Sequence, residues 1–184
     1  MLIAGLDEVG RGCLAGPLVT AAVILPRGVR LKGLNDSKQI SAGRREELSE
    51  LITKKCDFGI GLVSPKLIDD IGIIRANNLA FLIAINNLKQ TPQKLLVDGN
   101  DRLILPYPHE TIIKGDSKIR CIMAASIVAK VARDRMMAGK YEGMLPEYGF
   151  RRHKGYGTLE HRNNIEKHGM SAIHRRRFCR AFAF

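Results

Sequence analysis

Four acidic residues stand at the ends of apolar segments, and they offer the chemistry that most constrains this chain. Asp7 and Glu8 follow the run Leu2–Leu6 and precede Gly10-Arg11-Gly12, Asp98 closes the run Leu95–Val97, and Asp116 follows Ile112-Ile113-Lys114-Gly115. If those segments lie side by side in a sheet, the carboxylates converge on one spot. Carboxylates packed together repel and raise one another's pKa unless a cation sits between them. A hard divalent cation answers that need. Mg²⁺ takes oxygen ligands and is commonly held by a few carboxylates together with a substrate phosphate. The rest of the chain fits a phosphate-bearing partner, because 30 Lys and Arg against 18 Asp and Glu give a net charge of +12. Such an imbalance favours a polyanion, nucleic acid before an anionic membrane.

The elements that must position these acids read as an α/β chain. With 184 residues, 45% of them apolar, a single domain over 1–184 is expected, ending in a short basic tail from about residue 170. Leu2–Leu6 and Val19–Leu25 have the β-rich character of a hairpin, stopped by Pro26 and Gly28. Ser41 can cap a helix over Ala42–Lys55, Phe58–Val63 is a third strand, and Pro65–Ile71 and Asn77–Leu88 carry helical spacing. Lys94–Asp98 and Thr111–Lys114 are short strands of the kind parallel sheets use. Ile119–Ala138 is a long helix rich in small residues, suited to close packing on a sheet, and Thr158 caps a last helix stopped at Gly169. The order implies a mixed central sheet flanked by helices, with a helical C-terminal segment.

Several function classes are disfavoured. No apolar stretch approaches the ~20 residues of a membrane span and no leader pattern opens the chain, so a cytoplasmic protein is expected. Cys13, Cys56, Cys121 and Cys179 are too dispersed for a zinc site or a disulfide framework. Gly10-x-Gly12-x-x-Ala15 formally satisfies a dinucleotide-binding pattern, but Pro17 and the β-branched run after it leave no helix N-terminus for a pyrophosphate. A glycine-rich turn whose backbone N–H groups are open to a ligand is the simpler reading. The five histidines form no evident ligand set: His161 and His168 fall on the last helix, and His109, His153 and His174 in loops or tail.

The motifs carry a resemblance. Asp7-Glu-Val-Gly-Arg-Gly12, Leu14-Ala-Gly-Pro17, Asn35-Asp-Ser-Lys38, Val97-Asp-Gly99, Lys114-Gly-Asp-Ser117 running into Ala124–Asp134, and Gly155-Tyr-Gly-Thr158 together resemble type 2 ribonuclease H, the bacterial ribonuclease HII. The match spans nearly the whole chain, and the interval between the last two acids, 116 − 98 = 18 residues, suits the bacterial form. The resemblance implies a ribonuclease-H-like fold and a metal-dependent endonuclease acting on the RNA strand of RNA–DNA hybrids. It also implies cutting 5′ to single ribonucleotides embedded in duplex DNA, with 3′-hydroxyl and 5′-phosphate ends.

Roles follow for the matching positions. Asp7, Glu8, Asp98 and Asp116 are the expected catalytic and metal-binding residues, with Asp7 bridging a two-metal site of Mg²⁺ or Mn²⁺. In-line hydrolysis of a phosphodiester needs an activated water and a stabilised leaving oxygen, which two such cations supply. Because adjacent strand residues point to opposite faces, Glu8 can share the site by its side chain only if the strand ends or bends there; its main-chain carbonyl is the other option. Gly10, Arg11 and Gly12 would read the ribose 2′-hydroxyl by their backbone, Tyr156 would pack on the sugar of the 3′ deoxynucleotide, and Lys38 would hold a phosphate. Lys114, Ser117, Arg133 and Lys154 are candidate phosphate contacts of lower rank, each equally readable as a surface group. Taken singly, Asp98 reads equally as a turn residue and Asp116 as a helix cap.

Two rivals differ in kind. Type 3 ribonuclease H is similar in its acids but adds an N-terminal substrate-binding domain and has lysine where this chain has Arg11. A noncatalytic hybrid-binding module would not need all four acids. The expected partners are RNA–DNA hybrid and ribonucleotide-containing duplex DNA, bound by a monomer away from any membrane. The run His174-Arg-Arg-Arg177 reads as phosphate-tracking or solvated, and Phe178, Phe182 and Phe184 offer a weak tail-mediated contact with a protein partner.

Overall fold

The computed structural model describes residues 1–35, 37 and 39–182. Lys38 and Phe184 lie outside the described residues. Five strands form one sheet in the order β3-β2-β1-β4-β5, where β1 is Ile3–Val9, β2 Leu18–Ile24, β3 Asp57–Val63, β4 Lys94–Asp98 and β5 His109–Ile112. β1 pairs antiparallel with β2, as a hairpin requires, and parallel with β4, so the sheet is mixed. The helices are α1 (Ala42–Lys55), α2 (Pro65–Ile71), α3 (Ile73–Asn86), α4 (Arg120–Met136), α5 (Glu142–Met144), α6 (Phe150–His153), α7 (Leu159–His168) and α8 (Arg176–Cys179). Ser41, Ser64 and Thr158 cap α1, α2 and α7, each side-chain oxygen accepting a backbone N–H of the first turn.

Alternation along β1 assigns its two faces. Ala4 and Leu6 pack with Phe81, Ala84 and Ile85 of α3, whereas Ala21, Val23 and the small residues of α4 form the opposite layer with α1. Gly5 is what brings α4 close: a Cβ there would lie 2.2 Å from the main-chain carbon of Cys121. The small residues of α4 thus serve the sheet contact anticipated from their size.

Several boundaries shift by a few residues from expectation, and three of the differences have a clear physical cause. β1 continues to Val9 because Glu8 and Val9 still pair with Thr20 and Val19. α3 starts at Ile73 rather than Asn77, since Gly72, at φ +80°, ends α2 and opens α3 without a loop. β5 is His109–Ile112 rather than Thr111–Lys114. Lys114 adopts a left-handed conformation (φ 57°) and begins a 3₁₀ turn over Gly115–Ser117, so the ladder cannot run past Ile112.

The C-terminal part is more ordered than a basic tail. Met137, Tyr148, Phe150, Ile165 and Cys179 of the C-terminal part form a satellite core with Leu14 and Ala15 of the segment after β1. His174 and Arg175 are buried, and the N–H groups of Arg176 and Arg177 donate to the Asp69 carboxylate. The 174–177 run is therefore not uniformly solvated, because half of it is drawn into the body by hydrogen bonds. Phe178 packs on the body with the Arg175 guanidinium over its ring, leaving Phe182 as the exposed aromatic among the described tail residues.

Candidate active site

The sheet brings the acids together. Asp7 and Asp98 lie on the α4 side of neighbouring parallel strands, and the turn after β5 supplies Asp116; carboxylate oxygens of the three lie within 4.8 Å of one another. Asp98 also builds the turn that carries Asp116, its Oδ1 accepting the N–H groups of Gly115 (2.6 Å) and Asp116 (3.3 Å). Burial pushes the Asp7 carboxyl well above the usual carboxylate range, the charges of Glu8 and Asp98 adding to it against the Ser126 hydroxyl. A cation among these oxygens would reverse that penalty.

Glu8 is outside the three whose oxygens lie within 4.8 Å of one another, although its charge acts on Asp7 and it borders the cavity beside them. Because β1 stays extended through Val9, its side chain projects from the opposite face, where it meets the Arg11 guanidinium at 3.5 Å. Burial, with Asp98 and Asp101 nearby, pushes the Glu8 carboxyl up to about 7 despite the Arg11 charge. Arg11 is held in turn by Asp101, which accepts from Nη1 at 2.5 Å and from Nη2 at 3.2 Å. No sequence signal marked Asp101; it stands three residues beyond Asp98 in an irregular segment and acquires its partner only through the fold.

Gly10, Arg11, Gly12, Ser126, Lys130 and Tyr156 border a cavity of about 450 Å³ beside the acids. Gly10 is needed there: its φ is +88°, and a Cβ would sit 2.2 Å from Nε of Arg133. The N–H groups of Arg11 and Gly12 have no hydrogen-bond acceptor among the described residues. Across the cavity the Tyr156 ring has Lys130 Nζ 5.4 Å and Arg133 Cζ 5.7 Å from its centroid. Burial and the neighbouring Cys13 push its phenol up to about 12. Lys130 and Tyr156 also line a second groove, of about 630 Å³, that runs on to Arg45, Arg135 and Arg152.

Of the lower-ranked phosphate contacts, Lys114 and Ser117 are exposed on the turn bearing Asp116. The Lys154 ammonium turns back on the Arg151 carbonyl. Arg133 is not a phosphate contact. It is fully buried, donating to the carbonyls of Pro17 (2.9 Å), Ala15 (3.0 Å) and Lys154 (2.8 Å). Asp134 pairs with Lys130 one turn away at 3.0 Å, an ordinary helix partner.

The histidines join no candidate metal cluster among the described residues, but three of them meet through their rings. His153 lies in α6 and stacks on His161, with ring centroids 4.2 Å apart, and His161 Nε2 is 3.0 Å from His174 Nε2. The neighbours fix one consistent set of neutral tautomers: Ser171 N–H donates to His174 Nδ1, His174 Nε2–H to His161 Nε2, and His161 Nδ1–H to the Tyr156 carbonyl. Burial pushes both His161 and His174 down to about 4. Sequence spacing gave no sign of this chain, since its members come from three separate elements.

Residues 4–181 match the family model described as Ribonuclease HII. A ribonuclease HII of Bacillus cereus strain ATCC 14579 is 53% identical over 181 residues, spanning 96% of this chain and 68% of that relative. The chain belongs to the ribonuclease HII family. It is accordingly a type 2 ribonuclease H, an endoribonuclease. Among solved structures, the ribonuclease H2 of Pyrococcus horikoshii OT3 superposes with a TM-score of 0.83 at 31% identity, covering 98% of this chain and 96% of that one. The ribonuclease HII in a PCNA complex from Archaeoglobus fulgidus also reaches 0.83, at 30% identity, covering 96% and 95%. A ribonuclease HIII solved with Mn²⁺ shares the fold at 19% identity and a TM-score of 0.72. The expected ribonuclease-H-like fold and the type 2 assignment both stand, and no described helix is long and apolar enough to cross a membrane.

Proposed function

We propose that this ribonuclease HII hydrolyses the RNA strand of RNA–DNA hybrids and cuts 5′ to a single ribonucleotide embedded in duplex DNA, leaving 3′-hydroxyl and 5′-phosphate ends. The observation that carries the reading is the convergence of Asp7, Asp98 and Asp116 within 4.8 Å beside a turn whose Arg11 and Gly12 N–H groups have no acceptor among the described residues. Three all-oxygen donors fit Mg²⁺ or Mn²⁺, and a buried Asp7 whose carboxyl resists ionisation fits a site completed by a cation. Bound there, such cations would neutralise the phosphate, activate water and stabilise the leaving oxygen. Asp7, Asp98 and Asp116 would hold them, and Glu8 would contribute through its main-chain carbonyl or a side-chain movement.

The remaining residues select the substrate. The Gly10–Gly12 backbone would take the 2′-hydroxyl, the one local group that separates ribose from deoxyribose. Tyr156 would pack on the neighbouring 3′ sugar. Arg11 is turned towards Asp101 and Glu8, so in this role the turn acts by its main chain. Lys130 and the groove beyond Tyr156 would follow phosphates without reading bases.

A labelled duplex with one embedded ribonucleotide tests the reading. Cleavage should require Mg²⁺ or Mn²⁺, occur 5′ to the ribonucleotide whatever its base, and vanish with a 2′-deoxy or 2′-O-methyl sugar. Efficient cutting of the all-DNA duplex, or a 2′,3′-cyclic phosphate product, would overturn it, since the latter requires attack by the ribose itself.

A further inference from the structure

Residues 173–175 run antiparallel to residues 14–16. The Gly16 N–H donates to the Ile173 carbonyl (2.9 Å), the Arg175 N–H donates to the Leu14 carbonyl (2.7 Å), and Ala15 and His174 form an isolated bridge. This short zipper carries the Arg175 side chain, fully buried, to the glycine-rich turn. There Nη1 donates to the Arg11 carbonyl at 3.0 Å, while Nε and Nη2 donate to the Gly16 carbonyl at 3.0 and 2.9 Å. Among the described residues no carboxylate lies within ion-pair distance of this guanidinium. Its donors are spent on main-chain oxygens.

That arrangement has a directional consequence. A trans peptide is planar, and its C=O and N–H point in opposite directions. The Arg11 carbonyl and the Gly12 N–H belong to one such unit. With the carbonyl turned to buried Arg175, the Gly12 N–H must point away from the interior. Gly12 is exposed at the cavity edge, and its N–H has no acceptor among the described residues. Rotating this peptide would leave a buried guanidinium N–H without a partner, an unfavourable state that holds the plane in place. Proteins commonly orient a substrate-facing group through a second residue behind it.

We propose that Arg175 is a specificity-determining positioning residue, which grips the Arg11 and Gly16 carbonyls and so presents the Gly12 N–H to a ribose 2′-hydroxyl. The proposal rests on the reading that the Gly10–Gly12 turn senses that hydroxyl. Arg175 does not touch substrate. A lysine at the same place keeps the charge but cannot span both carbonyls in a planar fork.

The test uses the full chain carrying Asp7→Asn to silence cleavage, and compares its Kd for two duplexes identical except for one ribose. The Asp7→Asn protein should prefer the ribose-containing duplex, and adding Arg175→Lys or Arg175→Gln should shrink that preference at least fivefold while leaving the all-DNA Kd within about twofold. If Arg175 merely tethers the C-terminal segment, both Kd values should weaken together and the preference should survive, which would overturn the proposal. Should neither variant fold, the Gly12 amide resonance of the Asp7→Asn protein decides: a shift with the ribose-containing duplex alone supports the proposal, and its absence overturns it. An Asp7→Asn protein that binds both duplexes equally would remove the hydroxyl-sensing reading and the proposal with it. Discrimination that persists after Arg175→Lys removes only the positioning role.

Discussion

The strand-end carboxylates and the arginines beneath the glycine-rich turn face one electrostatic problem and meet it differently. Asp7 and Asp116 are buried next to Asp98, and burial plus mutual repulsion disfavours the charged form of Asp7. Arg133 and Arg175 are buried more completely, yet between them they donate to the main-chain carbonyls of Arg11, Ala15, Gly16, Pro17 and Lys154. Unpaired buried charge is costly, and carbonyl dipoles can compensate a cation where no carboxylate is available. Burial, with the Arg133 charge nearby, lowers Arg175 to about 10, yet it stays charged at neutral pH and its hydrogen bonds are made to the protein's own backbone. The acidic region holds repulsion that a divalent ligand can relieve, which is how a functional site differs from a brace built of equally buried charge.

The largest effect should come from breaking the acidic side. Asp7→Asn should lower cleavage of a ribonucleotide-containing duplex by roughly 10³-fold, since a metal-holding carboxylate underlies several kcal/mol of transition-state stabilisation. Without metal, the same variant should melt a few degrees higher than the parent at pH 8, because a carboxylate that burial disfavours has gone. Near-parental cleavage in Mg²⁺, or a lower melting temperature without metal, would contradict the contrast drawn here.

Next in size is a pair of opposed pH trends in the metal-free protein. Glu8 is raised from 4.5 to about 7, so the stability linked to it is fully present below pH 4.5 and is lost as pH rises through about 7. His161 and His174 are lowered from 6.5 to about 4. Their contribution is present above pH 6.5 and is lost as pH falls towards 4, when protonation must break the His161–His174 hydrogen bond. Between pH 4.5 and 6.5 the two trends oppose and partly cancel, so urea denaturation should show the full histidine loss only when Glu8 cannot ionise, while above pH 6.5 Glu8 accounts for about 1 kcal/mol of further loss. Glu8→Gln should steepen the loss of stability between pH 6.5 and 4.5 and make the fall above pH 6.5 gentler, the remaining alkaline fall belonging to the raised Asp7; an unchanged profile would mean that Glu8 does not titrate in this window.

The smallest effect concerns the residue between the two regions. Tyr156→Ala should reduce kcat for a lone ribonucleotide by ~10- to 100-fold through misplacement of the sugar, with Mg²⁺ affinity measured by calorimetry unchanged. Equal activity of variant and parent would return Tyr156 to a loop aromatic stacked among cations.

Much of this was legible in the sequence because it is local. Lys94–Asp98 and the caps at Ser41 and Thr158 follow from side-chain alternation and from hydroxyl oxygens that accept nearby N–H groups. Asp7, Asp98 and Asp116 could be nominated because each ends or follows an apolar segment, and strand ends gather in a sheet. β5 ends at Ile112, two residues short of the expected Lys114, because Lys114 adopts a left-handed conformation next to Gly115, whose N–H the Asp98 carboxylate accepts from another strand. Tertiary structure alone separated Glu8 from the trio, by pairing Val9 with Val19 and so keeping β1 extended past the point where a bend would have turned the side chain inward. It alone gave Arg11 its partner in Asp101, joined three distant histidines behind the Tyr156 carbonyl, and drew Arg175 out of a basic run into the interior while Arg176 and Arg177 stayed outside. Sequence fixes which groups can ionise or donate; which are desolvated, and against what, depends on contacts between residues up to 165 positions apart, and no local pattern encodes those.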